Sequence, residues 1–255
     1  MQTPDSSRAS TSSNDVPSYD DALESRVFEL IAEFAAGAGH ELNNPLAVIS
    51  MLAQNLLVDE EDPNRRWALE SILEQTRLGH EMLASLRLFS RPPQPSEELI
   101  DARALFQEWT SREREQGTDG AVEITILDEL GADARLKSDP AMLTALLSEL
   151  GRNAREAAAQ GGRLLYFLKS AAGGVDGGRS VEIGVANAGL GFDAKAKALA
   201  FAPYYSGRRS GRGLGFGLSL ARRFAEVLDV RLQYGEEFAG EPMETWRAIV
   251  QESSR

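Results

Sequence analysis

Cysteine is absent from the 255 residues. That removes disulfides, thiolate metal sites and thiol nucleophiles together, and suits a reducing compartment. Histidine is nearly absent as well: with only two in the chain, a multi-histidine metal centre is not expected. No run of about 18 apolar residues occurs, so no transmembrane segment is expected. Nor does a basic segment followed by an apolar one open the chain, which makes the cytoplasm the expected location. Positive charge is in deficit, with 27 Lys and Arg against 39 Asp and Glu and a formal net charge of −12. A nucleic-acid surface needs clustered cations to neutralise phosphates, so no nucleic-acid partner is expected. What the chain does have is a core, since 42% of its residues are hydrophobic.

The organisation follows from punctuation. Residues 1–19 are polar and Ser-rich and read as a disordered tail. From Asp20, apolar residues recur at three- and four-residue steps through Val27, Leu30, Ile31, Phe34, Ala38, Leu42, Ile49 and Leu56, the period of an amphipathic helix. The acidic run Asp59–Asp62 before Pro63 breaks it. A second helix is expected from about Asn64 to Ser90, with Leu69, Ile72, Thr76, Leu83 and Leu86 as its stripe, stopped by Pro92-Pro93. Residues 20–91 thus read as a helical hairpin. Such a hairpin cannot cover its own apolar stripes, so a homodimer paired as a four-helix bundle is expected.

Beyond the linker at 92–95, residues 96–255 mix strands and helices. Asp101 and Asp139-Pro140 mark helix starts, and strands are expected near 121–127, 164–168, 181–186, 230–234 and 246–250. The fold class is therefore α + α/β, a hairpin followed by an α/β two-layer sandwich.

Four segments carry chemistry. The first is Gly39-His40-Glu41-Leu42-Asn43-Asn44-Pro45-Leu46. A neutral, oriented imidazole is a nucleophile, and an adjacent carboxylate can take its proton. Pro45 inside a helix costs about 3 kcal/mol, which a purely structural bundle has no need to bear. Alone, the segment also fits a surface histidine beside a proline. In the second segment, Glu149 and Asn153 are four apart on one helix face and can converge on one ion, though such pairs are usually a solvated polar face. The third is Asn187-Ala188-Gly189-Leu190-Gly191 after a strand. The fourth is Gly211-Arg212-Gly213-Leu214-Gly215-Phe216-Gly217-Leu218, where alternate glycines ahead of a helix can turn backbone N–H groups toward phosphates, or simply make a flexible turn.

Taken in order, these segments resemble the H-box, N-box and two glycine boxes of sensor histidine kinases, whose second domain has the Bergerat-type ATP-binding fold. The resemblance implies His40 as phosphoacceptor, Glu41 as general base and Asn44 for phosphatase activity. It makes Asn153 the ligand of Mg2+ and gives Glu149 a metal-shell or proton-handling duty. ATP would meet Gly189, Gly191, Gly213, Gly215, Gly217 and Leu218. The stretch Phe201-Ala202-Pro203-Tyr204-Tyr205-Ser206-Gly207-Arg208 resembles the F-box and start of the ATP lid, with Arg208 where the family usually has Lys near a phosphate. One departure stands out: Asn187 replaces the aspartate that accepts a hydrogen bond from the adenine amino group, at an expected cost of about 1 kcal/mol. The implied activity is autophosphorylation of His40 and transfer to an aspartate in the receiver domain of a response regulator, with a separate sensory protein as one source of input. The alternative is a degenerate member acting as a dimeric scaffold or phosphotransfer module. His80-Glu81 lacks the polar and proline residues that follow His40-Glu41 and is expected to pack at the bundle flank.

Overall fold

The computed structural model describes residues 21–116, 122–158, 162–171, 179–188, 194–203, 205 and 215–253. Its first two elements, α1 (Asp21–Leu57) and α2 (Pro63–Ser90), make the helical hairpin. The turn is set by Asp62, whose carboxylate accepts from the Asn64 and Arg65 N–H groups at 2.8 and 3.1 Å. Pro63 follows at the first helical position, where its missing N–H is no loss.

Helix α1 carries two stripes with different fates. Leu46, Ala53 and Leu57 turn toward cover, Ala53 being buried. Leu30, Leu42, Ile49, Leu52 and Leu56 stay in solvent, between 45% and 64% exposed. The stripe read from the sequence is largely this second one, and its own chain leaves it uncovered.

The second block is a sandwich. Its sheet runs β2-β4-β5-β7-β6, built from β2 (Glu123–Glu129), β4 (Arg163–Ala171), β5 (Ser180–Asn187), β6 (Arg231–Phe238) and β7 (Glu241–Gln251). β2 pairs with β4 in parallel, and the other pairings are antiparallel. Helices α3 (Ala102–Glu115), α4 (Pro140–Ala157) and α6 (Gly217–Val227) supply the other layer. Alternation along the strands sends Val181, Ile183 and Val185 of β5 and Trp246, Ala248 and Val250 of β7 into the main core. There they join Leu143, Leu146, Leu147 and Leu150 of α4 and Leu220 and Phe224 of α6. The opposite face carries a smaller cluster of Phe167, Ala186, Phe238 and Met243.

The helix starts expected from sequence are formed by the residues named. Asp101 accepts from Arg103 and Ala104 N–H, both at 3.0 Å. Asp139 accepts from Met142 N–H at 2.8 Å and, with its other oxygen, from Ser96 N–H at 2.7 Å. The Met142 N–H foremost, aided by Ser96, holds its carboxyl below the usual carboxylate range against the opposing pull of burial. One carboxylate thus starts α4 and pins the chain entering β1 (Glu98–Asp101). Three elements have no counterpart in the sequence reading. β1 and β3 (Arg135–Ser138) pair antiparallel as a small separate sheet, and α5 (Ala194–Leu199) is a short helix.

Two features tie the layers together. Glu113 of α3, 1% exposed, forms an ion pair with Arg155 of α4 and accepts from the Tyr166 hydroxyl of β4 at 2.9 Å. Burial pushes the Tyr166 hydroxyl up to about 12, with the Arg155 charge opposing. At the junction of the blocks, Leu86 and Phe89 from the end of α2 enter the sandwich core, Phe89 meeting Phe216 edge-on at 6.3 Å.

Candidate functional site

On the hairpin, His40 lies within α1 and its side chain is outside the described residues. Glu41 and Asn44 are exposed on the same helix, one and four positions on. Pro45 sits inside α1 without ending it. Having no N–H, it leaves the Glu41 carbonyl without its helical partner. Asn43 faces the other way from Asn44: its Oδ1 is 2.8 Å from Nδ1 of half-buried His80 on α2. An amide oxygen only accepts, so Nδ1 of His80 carries the proton in this bond. His80 therefore ties α2 to the turn of α1 that follows His40.

On the sandwich, Glu149 and Asn153 are both half-buried on successive turns of α4. Arg152 donates from Nε to Glu149 Oε2 at 3.1 Å, and the two form an ion pair. Burial raises the Glu149 carboxyl above its ordinary range, while the Arg152 charge and hydrogen bond pull it back. The start of α6 closes on this pair. A Cβ on Gly217 would meet Arg152 Nη2 at 2.8 Å and Glu149 Oε2 at 3.0 Å, so the first turn of α6 lies close against this ion pair. Gly215, two residues earlier, has φ of 71°, a left-handed conformation in which glycine is free of strain. The cap position Phe216 makes no side-chain hydrogen bond to the helix. Leu218, just inside α6, is buried. The last element is Asn187, fully buried at the end of β5, whose Nδ2 donates to Glu244 Oε2 at 3.1 Å.

Of the residues singled out in the sequence, Glu149 and Gly217 are brought into contact, with Gly215 and Leu218 flanking and Asn153 one turn along α4. Gly189, Gly191, Arg208 and Gly213 lie outside the described residues. Two functional candidates escaped the sequence reading. Arg152 was legible as the third residue after Glu149 on one helix face. Glu244 was not, because it meets Asn187 only through the β5–β7 register.

Residues 30–95 match the His Kinase A (phospho-acceptor) domain. Residues 138–247 match the family of histidine kinase-, DNA gyrase B- and HSP90-like ATPases. The chain belongs to the sensor histidine kinases. Among curated relatives, the C4-dicarboxylate transport sensor protein DctB of Pseudomonas aeruginosa is 25% identical over 226 residues, covering 87% of this chain and 36% of that protein. The sensor-like histidine kinase SenX3 of Mycobacterium tuberculosis is 25% identical over 203 residues, covering 76% and 47%. The fold is similar to that of full-length ShkA, solved in complex with AMPPNP, with a TM-score of 0.65 at 21% identity over 88% of this chain and 47% of that one. This histidine kinase chain spans between about a third and a half of the length of these curated relatives. No helix among its described residues is long and apolar enough to cross a membrane.

Proposed function

We propose that this histidine kinase chain autophosphorylates His40 from ATP and passes the phosphoryl group to an aspartate in the receiver domain of a response regulator. The observation that carries the proposal is the union, in one chain, of a phosphoacceptor-domain helix bearing His40, Glu41 and Asn44 with a sandwich of the ATPase family. In this reading the base of ATP meets Asn187. Its phosphates meet the start of α6, with Gly213, Gly215, Gly217 and Leu218, and the Gly189–Gly191 segment and Arg208 complete the site. Asn153 would hold Mg2+, which when bound would neutralise charge on the phosphates. The donor suits such an ion: half-buried Asn153 offers an amide oxygen from α4, and a phosphate-bound magnesium needs few protein oxygens.

In the transfer, Nε2 of His40 attacks the γ-phosphorus, the bond to the β–γ bridging oxygen breaks and ADP leaves. Glu41, exposed beside His40, takes the Nδ1 proton. The phosphorus–nitrogen bond then breaks as a receiver aspartate attacks. Asn44 serves dephosphorylation, and Glu149 serves proton handling near the metal. Two copies pair through Leu42, Ile49, Leu52 and Leu56 into a four-helix bundle, and a separate sensory protein is one source of input. The competing reading, a scaffold or phosphotransfer module, draws on Asn187 in the place of an aspartate.

The test is incubation of the purified chain with γ-labelled ATP and magnesium, beside His40→Gln. Acid-labile, alkali-stable label on the wild type alone is expected. A folded dimer that binds ATP and its receiver yet never carries label would favour the scaffold.

A further inference from the structure

We infer that Glu244 is a specificity-determining residue of the nucleotide site: it fixes the Asn187 amide so that the carbonyl oxygen, rather than the NH2 group, is offered to the base. The inference rests on the nucleotide-binding reading above and goes beyond it, to how the base is chosen.

Asn187 and Glu244 are direct cross-strand partners in the antiparallel β5–β7 pair. Strand alternation puts both on the helix-covered face, where they continue the rows Val181-Ile183-Val185 and Val250-Ala248-Trp246. Asn187 is 0% and Glu244 7% exposed, so this polar pair sits at the end of an apolar core. A carboxylate offers only lone pairs, so the amide nitrogen must face it, as the 3.1 Å Nδ2–Oε2 contact records. The amide oxygen is thereby turned away. That oxygen is buried and has no hydrogen-bond partner among the described residues. A buried acceptor left unpaired costs free energy, and it is retained where something else answers it. A purine with an exocyclic amino group at the 6-position supplies the missing donor. A 6-oxo purine sets a second lone pair against it.

The same pair explains why residue 187 is not a carboxylate. An aspartate there would abut Glu244 in a buried setting, and two like charges at that spacing cannot both ionise cheaply. With asparagine, the negative charge stands one strand over while the accepting oxygen remains. The charged hydrogen bond also polarises the amide and strengthens its carbonyl as an acceptor. The weaker base contact expected from Asn187 alone is offset by Glu244.

Equilibrium binding of ATP and of inosine triphosphate (ITP), with magnesium, to the full chain by calorimetry tests this. The wild type is expected to prefer ATP by about tenfold or more. Glu244→Gln keeps the shape but can donate to the asparagine oxygen, releasing the amide to flip, and should bring the ATP:ITP ratio to within about threefold. The reversal N187D/E244Q returns an acid beside an amide and should restore the preference, which a merely structural role for Glu244 does not predict. An unchanged ratio in folded Glu244→Gln overturns the inference, as does a wild type that binds both nucleotides equally. Should Glu244→Gln fail to fold, the reversal variant decides: preference regained supports the pairing and preference absent overturns it. A wild type that binds neither nucleotide overturns the nucleotide-binding reading and this inference with it.

Discussion

The sandwich and the hairpin solve the same problem of apolar surface in opposite ways. The sandwich closes its own core: Trp109, Tyr166, Leu143 and Leu147 are all fully buried by residues of the same chain. The hairpin has too few layers to do so. Leu52 and Leu56 remain 53% and 64% exposed although their spacing is as regular as any in the molecule. Two helices bury one stripe each against the other, and any second stripe needs another surface. Apolar periodicity thus reports that a residue will be covered, and leaves open whose chain will cover it.

That contrast is broken most sharply by a deletion in the sandwich. Trp109 is 0% exposed and packs edge-on against both Phe106 and Tyr166. Trp109→Ala is expected to cost about 3–5 kcal/mol, read as a lower denaturation midpoint that does not vary with protein concentration. Dependence on concentration would mean that the sandwich, too, relies on a second copy. The next largest effect belongs to the hairpin. Leu52→Glu puts a charge in the uncovered stripe and should weaken dimerisation by about a hundredfold, near 2–3 kcal/mol. The sandwich midpoint should move by no more than about 0.5 kcal/mol. Sedimentation across a dilution series separates the two, and a dimer indifferent to the substitution would remove this stripe from the interface.

Legibility divided along similar lines. Elements bounded by residues with one strong conformational role were readable: Asp101 and Asp139 cap their helices, and Pro63 and Pro140 stand at first helical positions. β1 and β3 were not, because four-residue strands carry too little alternation to register and exist through each other, Glu98 to Ser138 and Asp101 to Arg135. Nothing in the local sequence marks Glu113, yet it is buried against Arg155 and Tyr166, partners 42 and 53 positions away. The candidate site shows the same limit. Motif residues announce themselves within a few positions of one another, while Glu244 acquires its meaning only when β7 is laid beside β5.

The smallest expected effect sharpens the comparison within the sandwich itself, at the site rather than in the core. Burial raises the Glu149 carboxyl, with Arg152 pulling against it. A carboxyl whose folded value lies above its unfolded one holds its proton more tightly in the native state. Its contribution to stability is therefore fully present below the ordinary carboxylate value of 4.5 and is lost as pH rises through the folded value. Glu149→Gln cannot titrate. The stability of the wild type relative to this variant should fall as pH is raised from about 4 toward neutrality, in the sandwich transition and not in the hairpin's. Thermal melts at matched ionic strength measure it. A gap that grows with pH would mean that the Arg152 pair outweighs burial, so that the ionised carboxylate stabilises the site rather than straining it.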